Sequence, residues 1–223
     1  MYLYSSNSGI NIYKIQVDSS ASSGSGSSSS GSSTTDTSNG TVVTSFSELT
    51  AAVTKAEKAG GGIVYVKGSS ISCTAQLALK ASNANVSIIG VKNSDGTYPV
   101  LDFSAFRSAY IGKATTDSEV GIRISGSNYT IKNLIIQKAP DNGIQIKGSS
   151  AGNNTIENCI VRYNNDAGVQ ITGGAYSNTM RFVYSYRNCD VYTLGGNADG
   201  FAPKLGAGKG NVFYGCYSWE NSD

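Results

Sequence analysis

The chain has 223 residues, and its formal net charge of +2 argues against a nucleic-acid or anionic-membrane partner. Only 14% of the residues are charged, proline is scarce, and glycine (27) and tyrosine (14) are abundant, which suits an all-β extracellular protein, secreted or at the cell surface. Histidine is absent, which excludes Ser-His-Asp and Cys-His catalysis and disfavours zinc and iron sites.

The first 40 residues are predicted to lie outside the main domain. Residues 10–17, INIYKIQV, alternate apolar and polar side chains as a β-strand does. We interpret residues 1–17 as the remnant strand of a preceding module, with a tag or disordered lead as the alternative. Residues 18–40 form a Ser/Gly-rich linker with almost nothing to bury. The N-terminus lacks the order of a signal peptide, and no apolar run approaches the roughly 18 residues of a membrane span.

Residues 45–58, SFSELTAAVTKAEK, are predicted to form a helix. Ser45 and Glu48 have the spacing of a capping box. An apolar stripe follows at helical spacing, made by Phe46, Leu49, Val53 and Ala56. Residues 60–62 are glycines that end the helix. We expect this helix to cap the first strands, which would otherwise present an open edge.

The rest of the chain repeats itself. Residues 130–146 superpose on residues 155–171 without a gap at a spacing of 25, and residues 178–188 superpose on 154–164 at 24. Residues 211–221 follow 33 later, and VSIIGV at 86–91 resembles a degenerate copy. Strand-type residues at this period, without a helix in each repeat, indicate a β-solenoid. We therefore predict an all-β fold, a right-handed parallel β-helix (solenoid) with an N-terminal capping helix, over residues 41–223.

The repeat also predicts which residues stack from one rung (one full circuit of the chain) to the next. An interior column is made by Leu134, Cys159, Val183 and Cys216. A second column, Asn164, Asn188 and Asn221, lies at the turn after a strand, where asparagine tolerates the left-handed conformation and its amide can bond the next rung. Cys159 and Cys216 are two rungs apart, too far for a disulfide.

Acidic residues occur where the period breaks. Successive rungs carry Asn142, Ala167 and Asp199 before a Gly-apolar pair, and one position earlier stand Asp141, Asp166 and Ala198, with Asp223 returning to that column. The third of these rungs is about nine residues longer, through CDVYTLGGNA at 189–198. A longer rung that gains an acid indicates a functional site, although aspartates that merely form turns remain the alternative.

Two motifs here resemble a known family. NADGFAPKL at 197–205 and GKGNVFYGCYSWENSD at 208–223 are similar to the signature of family 9 polysaccharide lyases, calcium-dependent pectate lyases with a right-handed parallel β-helix. The resemblance covers residues 41–223 and implies that Asp199 and Asp223 are calcium ligands. In the family the signature continues into Asp-Gly-Trp-Asp, which holds two further ligands, and a later lysine is the base. The sequence stops before them, so we expect a C-terminally truncated, inactive chain whose catalytic residues are unknown.

The implied reaction is β-elimination of polygalacturonate, the acidic polysaccharide of pectin. Calcium would neutralise the uronate carboxylate and acidify the neighbouring C5 proton. Of the nearby lysines, Lys204 and Lys209, neither matches the family's base, and Lys204 is expected to contact a substrate carboxylate or to brace its turn. The alternative function is a non-catalytic extracellular solenoid that binds carbohydrate or acts as an adhesin or structural spacer.

Overall fold

Three parallel sheets wind around one apolar interior, and each full rung contributes one strand to each sheet. The computed structural model describes residues 35–113, 115 and 118–223, all within a unit that spans Thr34–Asp223. The predicted strand in residues 1–17 and most of the 18–40 linker lie outside the described residues. Neither helix in the described ranges has the length and apolar character of a membrane-spanning segment.

The strand bounds follow the three sheets in their hydrogen-bonded order. The seven-stranded sheet comprises β1 (Thr41–Val43), β2 (Gly62–Val66), β5 (Val86–Gly90), β8 (Tyr129–Lys132), β11 (Thr155–Glu157), β14 (Thr179–Arg181) and β17 (Val212–Tyr214). The six-stranded sheet comprises β3 (Ser70–Ser72), β6 (Val100–Asp102), β9 (Ile135–Gln137), β12 (Ile160–Arg162), β15 (Tyr184–Tyr186) and β18 (Tyr217–Trp219). The five-stranded sheet comprises β4 (Leu77–Leu79), β7 (Ile122–Ile124), β10 (Ile144–Lys147), β13 (Val169–Thr172) and β16 (Phe201–Pro203).

The register confirms the repeat that the sequence predicts. Thr130 pairs with Thr155, Thr155 with Thr179, and Thr179 with Val212, which reproduces the spacings of 25, 24 and 33. The degenerate copy at 86–91 is β5, which pairs in parallel with β8. The predicted parallel solenoid is therefore correct, because every strand pair among the described residues is parallel and joins neighbouring rungs.

Two helices interrupt the strands: α1 (Phe46–Lys58) and α2 (Ser104–Ser108). The predicted capping box at the start of α1 is present, since the Glu48 amide donates to the Ser45 side chain and the Ser45 amide donates to Glu48. Leu49 and Val53 are buried, together with Ala52, and α1 contacts β1, β2 and β5. The helix thus covers the interior at the first rung, as predicted.

The interior column is confirmed for three of its four members. Leu134, Cys159 and Val183 are buried, and their carbonyls accept hydrogen bonds from Ile160, Tyr184 and Tyr217 of the next rung. Cys216 is only half-buried. All four cysteines are free, and burial raises the pKa of the Cys159 thiol to about 12.

The predicted asparagine ladder is present at the corner after the six-stranded sheet. Asn188 Oδ1 accepts from the amide and side chain of Asn164 at 3.1 and 2.9 Å, and Asn221 Oδ1 does the same for Asn188. The left-handed conformation was assigned to the wrong residues, however. It belongs to the residue before each ladder asparagine, such as Tyr163 and Arg187.

A second ladder lies at the opposite corner, before the seven-stranded sheet. Asn154 donates its amide and side chain to Asn178 Oδ1, and Asn178 does the same to Asn211. The aligned copies at 154–164, 178–188 and 211–221 each begin with one of these asparagines, so their recurrence was the available signal. Two ladders, one on each side of β14 and β15, fix consecutive rungs to each other independently of the strands.

Candidate metal and substrate site

Four aspartates occupy equivalent positions on successive rungs. The backbone amide of the residue after each ladder position donates to a carbonyl of the ladder column one rung earlier: Asn165 to Ala139, Cys189 to Asn164 and Ser222 to Asn188. These hydrogen bonds set the register of the next residue on each rung. The acids in that register are Asp141, Asp166, Asp190 and Asp223. The prediction that Asp223 returns to the column of Asp141 and Asp166 agrees with this register, but the sequence analysis missed Asp190.

The extra nine residues explain why Asp190 was missed. If the rung is aligned backwards from β16, Ala198 is the residue next to Asp166, since the Gly168 amide donates to the Asp199 carbonyl. If the rung is aligned forwards from Asn188, the residue next to Asp166 is Asp190. Residues 189–198 connect these two positions as a loop without strand structure, so a single alignment finds only one of them.

The loop is held in place by specific hydrogen bonds. Asp190 accepts from the amides of Tyr192 and Thr193 and from the Thr193 hydroxyl. The Tyr192 hydroxyl donates to the Tyr110 carbonyl at 3.1 Å and accepts from the Gly112 amide at 2.6 Å. The loop is thereby joined to the segment after α2, and the two segments form walls on the same side of the solenoid.

A cleft of about 390 Å³ lies between these walls. It is lined by Thr115, Asp141, Asp166, Gln170, Asp190, Tyr192, Thr193, Asn197, Lys204 and Leu205. Gln170 belongs to β13 and is buried, and its side-chain oxygen accepts from Gln145 at 2.6 Å. The cleft therefore combines a polar floor with three acids and one cation.

The structure brings Lys204 and Asp199 into direct contact. Lys204 Nζ lies 2.6 Å from Asp199 Oδ2, and both side chains are about one-third exposed (32% each). Asp223 Oδ2 accepts from the Asn197 amide at 3.0 Å. Asn197 precedes Asp199 by two residues, so both predicted ligands lie beside the same short segment. Lys204 braces Asp199 in this arrangement, which was one of its two expected roles.

Glycine at the Asp-Gly position has a packing reason. A Cβ at Gly168 would lie 1.9 Å from Ser185 Oγ, and one at Gly200 would lie 2.0 Å from Ser218 Oγ. These serines point inward from β15 and β18, and Ser185 Oγ donates to the Gly200 carbonyl at 2.7 Å. The Asp199-Gly200 pair is thus set against the neighbouring sheet, which fixes where the Asp199 side chain begins.

Asp166 is an acid of the cleft whose pKa is strongly shifted. Burial raises the pKa of its carboxyl to about 6, and the charges of Asp190 and Asp199 act in the same direction. The Ala167 amide and the Lys204 ammonium oppose this rise in pKa. Its Oδ1 is buried and receives no hydrogen bond from the residues that the structure describes. The ionised form of Asp166 therefore destabilises the folded state.

Replacing Asp166 with asparagine is expected to stabilise the protein at neutral pH by roughly 1–3 kcal/mol. The folded-state pKa of Asp166 lies above the ordinary value of 3.8, so the folded state binds more protons between about pH 4 and pH 6. Wild-type stability consequently falls as pH rises through that window, and the variant should lack this contribution. Urea unfolding at several pH values measures it.

The exposed turn acid Asp95 provides the matched control. The hydroxyl and amide of Thr97 lower the pKa of its carboxyl, so Asp95→Asn should not raise the free energy of unfolding. An Asp166→Asn variant less stable than wild type at pH 7 would show that this carboxylate makes a favourable contact that outweighs its burial.

Asp199 and Asp223 have the type of ligand atom that calcium prefers, but two carboxylates are too few to fill its coordination shell. Carboxylate oxygens are preferred calcium ligands, and the ion usually takes about 6 to 8 oxygens. Among the residues that the structure describes, no group of three or more aspartate, glutamate, cysteine or histidine side chains is arranged to hold a metal ion. The assignment of Asp199 and Asp223 as calcium ligands therefore stays a prediction.

Comparisons with known proteins agree with this architecture. A family model described as the Pel9A-like, right handed beta helix region matches residues 30–223. The chain is 33% identical to a pectate lyase L of Paenibacillus polymyxa (strain SC2), over 78% of this chain and 38% of that protein. It is 30% identical to a pectate lyase L of Dickeya chrysanthemi, over 60% of this chain and 25% of that protein. The chain thus spans well under half the length of these relatives.

Solved structures give the same result. The crystal structure of pectate lyase Pel9A aligns with a TM-score of 0.64 and 28% identity, covering 80% of this chain and 43% of that one. A rhamnogalacturonan lyase aligns with a TM-score of 0.57 and 22% identity, covering 73% and 44%, which bears on the fold alone. The right-handed parallel β-helix predicted from the repeat is confirmed.

Proposed function

Because the chain belongs to the Pel9A-like right-handed β-helix family, as its resemblance to family 9 polysaccharide lyases predicted, we propose that it serves a calcium-dependent pectate lyase. The enzyme would be extracellular and would cleave polygalacturonate of the pectin type by β-elimination. The observation that carries the proposal is the pair of motif acids, Asp199 and Asp223, on neighbouring rungs beside the Asn197 segment and the cleft.

The described residues have distinct roles in this proposal. Asp199 and Asp223 hold the metal, and calcium, when bound, supplies positive charge to the uronate carboxylate. Lys204 lies in the cleft and presents a second cation to a neighbouring uronate. Gln170 lines the same cleft, and its side chain is already oriented by Gln145. It can therefore hydrogen-bond a sugar hydroxyl with little further loss of side-chain entropy.

The reaction removes the C5 proton of a galacturonate unit, forms the C4–C5 double bond and breaks the bond from C4 to the glycosidic oxygen. The proton is acidic because C5 is adjacent to the carboxyl group, and positive charge near that group acidifies it further. The base is not assigned to a residue of this chain, since neither Lys204 nor Lys209 matches the family's base. The residues 197–223 therefore bind and orient substrate in this proposal.

Calcium-dependent binding of a galacturonate oligomer tests the proposal. Calorimetric titration of trigalacturonate is expected to show affinity about tenfold higher with Ca²⁺ than with a chelator, because the metal links two sets of carboxylates. Asp199→Ala should remove this calcium-dependent increment, and Asp95→Ala, a change of an exposed turn acid, should leave it. An increment that survives Asp199→Ala would contradict the assignment of this ligand.

Lys204 gives a second, opposite readout in the same experiment. Its ammonium already pairs with Asp199 at 2.6 Å, so it competes with a cation for that carboxylate. Lys204→Met is therefore expected to bind Ca²⁺ alone about three- to tenfold more tightly, in line with the loss of one partly exposed ion pair. Lys209→Met, a change in the same segment, should bind Ca²⁺ as wild type does.

Product formation is checked by the ultraviolet absorbance of the unsaturated oligomer, at alkaline pH with Ca²⁺. The 223-residue chain is expected to release no product, since no lysine in it matches the base. Robust product that disappears in Lys204→Arg would make Lys204 the base and overturn its binding role. Absence of any calcium-dependent binding would favour the non-catalytic solenoid instead.

A further inference from the structure

The outer side of the six-stranded sheet and the corner after it carry a row of aromatic side chains. We call this row the aromatic surface; it consists of Tyr163, Tyr184, Tyr186, Tyr217 and Trp219. Tyr184 pairs with Tyr217 and Tyr186 pairs with Trp219 across β15 and β18. Neighbouring strands are about 4.8 Å apart, so the rings follow the solenoid axis at a spacing on the scale of one sugar unit.

The alternation of the strands places these rings in solvent. Ser185, between two of the tyrosines, is fully buried and points inward. Tyr184, Tyr217 and Trp219 are 41%, 62% and 42% exposed. Single exposed apolar residues need no explanation, but a contiguous exposed patch usually marks an interaction site. Gln170, which lines the cleft, belongs to β13 of the five-stranded sheet, whereas the rings on β15 and β18 belong to the six-stranded sheet.

The ring geometry leaves aromatic faces open. Tyr186 and Trp219 stack on each other with centroids 4.3 Å apart. Tyr184 instead makes T-shaped contacts with Tyr217 and Trp219, at 5.5 and 6.2 Å. In a T-shaped pair one ring offers only its edge to the other, so its own faces stay free of that partner. A free face carries partial negative charge, which attracts the C–H-rich face of a pyranose.

Positive charge borders the rings. The Arg162 side chain donates to Tyr186 Oη and to Gln137 Oε1, both at 2.9 Å, and these partners are neutral. Among the described residues no carboxylate forms an ion pair with Arg162. Arg187 donates to Tyr163 Oη at 3.2 Å and pairs with Glu220, with half of its side chain exposed. One guanidinium beside the rings is therefore uncompensated by an acid.

From these observations we infer that the aromatic surface is a second binding site for an acidic polysaccharide, separate from the cleft and independent of calcium. The rings contact sugar faces, and Arg162 and Arg187 pair with uronate carboxylates, for which a guanidinium is well shaped. The inference rests on the proposed function for the identity of its ligand class. Because Trp219 is four residues before Asp223, the surface borders the corner that leads to the cleft, and one polymer chain can contact both.

Affinity electrophoresis through gels containing polygalacturonate, with a chelator present, tests the inference. Wild type should be retarded, and the double variant Tyr217→Ala, Trp219→Ala should bind about tenfold more weakly, as expected for the loss of two aromatic anchors. Arg162→Gln should reduce binding and its dependence on salt. Fully methyl-esterified polymer, which lacks the charge, should bind less well than polygalacturonate. Circular dichroism checks that each variant is folded, and outward-facing side chains make this the expected outcome.

Two matched controls separate this site from others. Phe182→Ala removes an exposed ring outside the aromatic surface and should bind as wild type does under chelation. Lys204→Met alters the cleft and should lose clearly less affinity than the aromatic double variant. Equal loss in Lys204→Met would place calcium-free binding in the cleft and overturn the inference. A wild type that is not retarded would overturn it too, while the calcium-dependent increment still reports on the proposed function. Self-association in sedimentation that is lost in Trp219→Ala would assign the surface to a second copy instead.

Discussion

Val183→Asp is expected to destabilise the protein by at least about 4 kcal/mol, enough to leave the isolated variant largely unfolded. Val183 is fully buried, and its backbone hydrogen-bonds to Tyr217 of the next rung. A carboxylate there would meet Cys159 on one side and Cys216 on the other, neither of which can satisfy a charge. Urea unfolding followed by circular dichroism measures the change.

Val212→Asp provides the control, because it makes the same substitution at an exposed valine. Val212 lies in β17 with 48% of its surface exposed. The new carboxylate would stay in water, and the free energy of unfolding should fall by less than about 1 kcal/mol. Equal destabilisation by the two changes would mean that the interior column does not exist as described. A well-folded Val183→Asp would have the same meaning.

Asn188→Ala is expected to cost about 3 kcal/mol, although it removes no charge and little apolar surface. Asn188 is fully buried, and its Oδ1 accepts two hydrogen bonds from Asn164. Its loss leaves a backbone amide and a side-chain amide buried without an acceptor, and each such orphan costs about 1–3 kcal/mol. Thermal and urea unfolding of the folded variant measure this cost.

The double variant Asn164→Ala, Asn188→Ala tests whether the ladder acts as a unit. It removes one of the two orphaned donors, so its destabilisation should fall short of the sum of the single changes by about 1 kcal/mol. Strict additivity would show that the two asparagines stabilise their corners separately and that the cost of Asn188→Ala has another origin.

The sequence predicted the fold where its repeats align without gaps. Residues 130–146 and 155–171 are the same length, so residues 25 apart occupy equivalent positions. The strand register was therefore predictable from the alignment. The early rungs resisted this approach, since β3, β4, β6 and β7 belong to rungs without that regular spacing and α2 interrupts one of them. The left-handed residues were misplaced by one position, because asparagine is common both in that conformation and in ladders.

The site was predictable in part. Its position on the longer rung followed from the break in period at 189–198. The roles of Asp199, Asp223 and Lys204 in binding metal and substrate remain predictions. The ion pair between Lys204 and Asp199 could not be read from the sequence, since it depends on where two side chains point after the turn. Asp190 was missed because two valid ways of counting along that rung disagree.

The ladders have a consequence for how such a protein can evolve. Asn164 and Asn188 are 24 residues apart, whereas Asn188 and Asn221 are 33 apart, yet both pairs form the same side-chain hydrogen bond at 2.9 Å. The number of residues in a circuit is therefore free to vary while the stacking distance is not. Insertions can accumulate between a ladder and the next strand at little thermodynamic cost, and each circuit can acquire its own recognition loop without altering its neighbours. A lineage built this way can change its surface loops one circuit at a time.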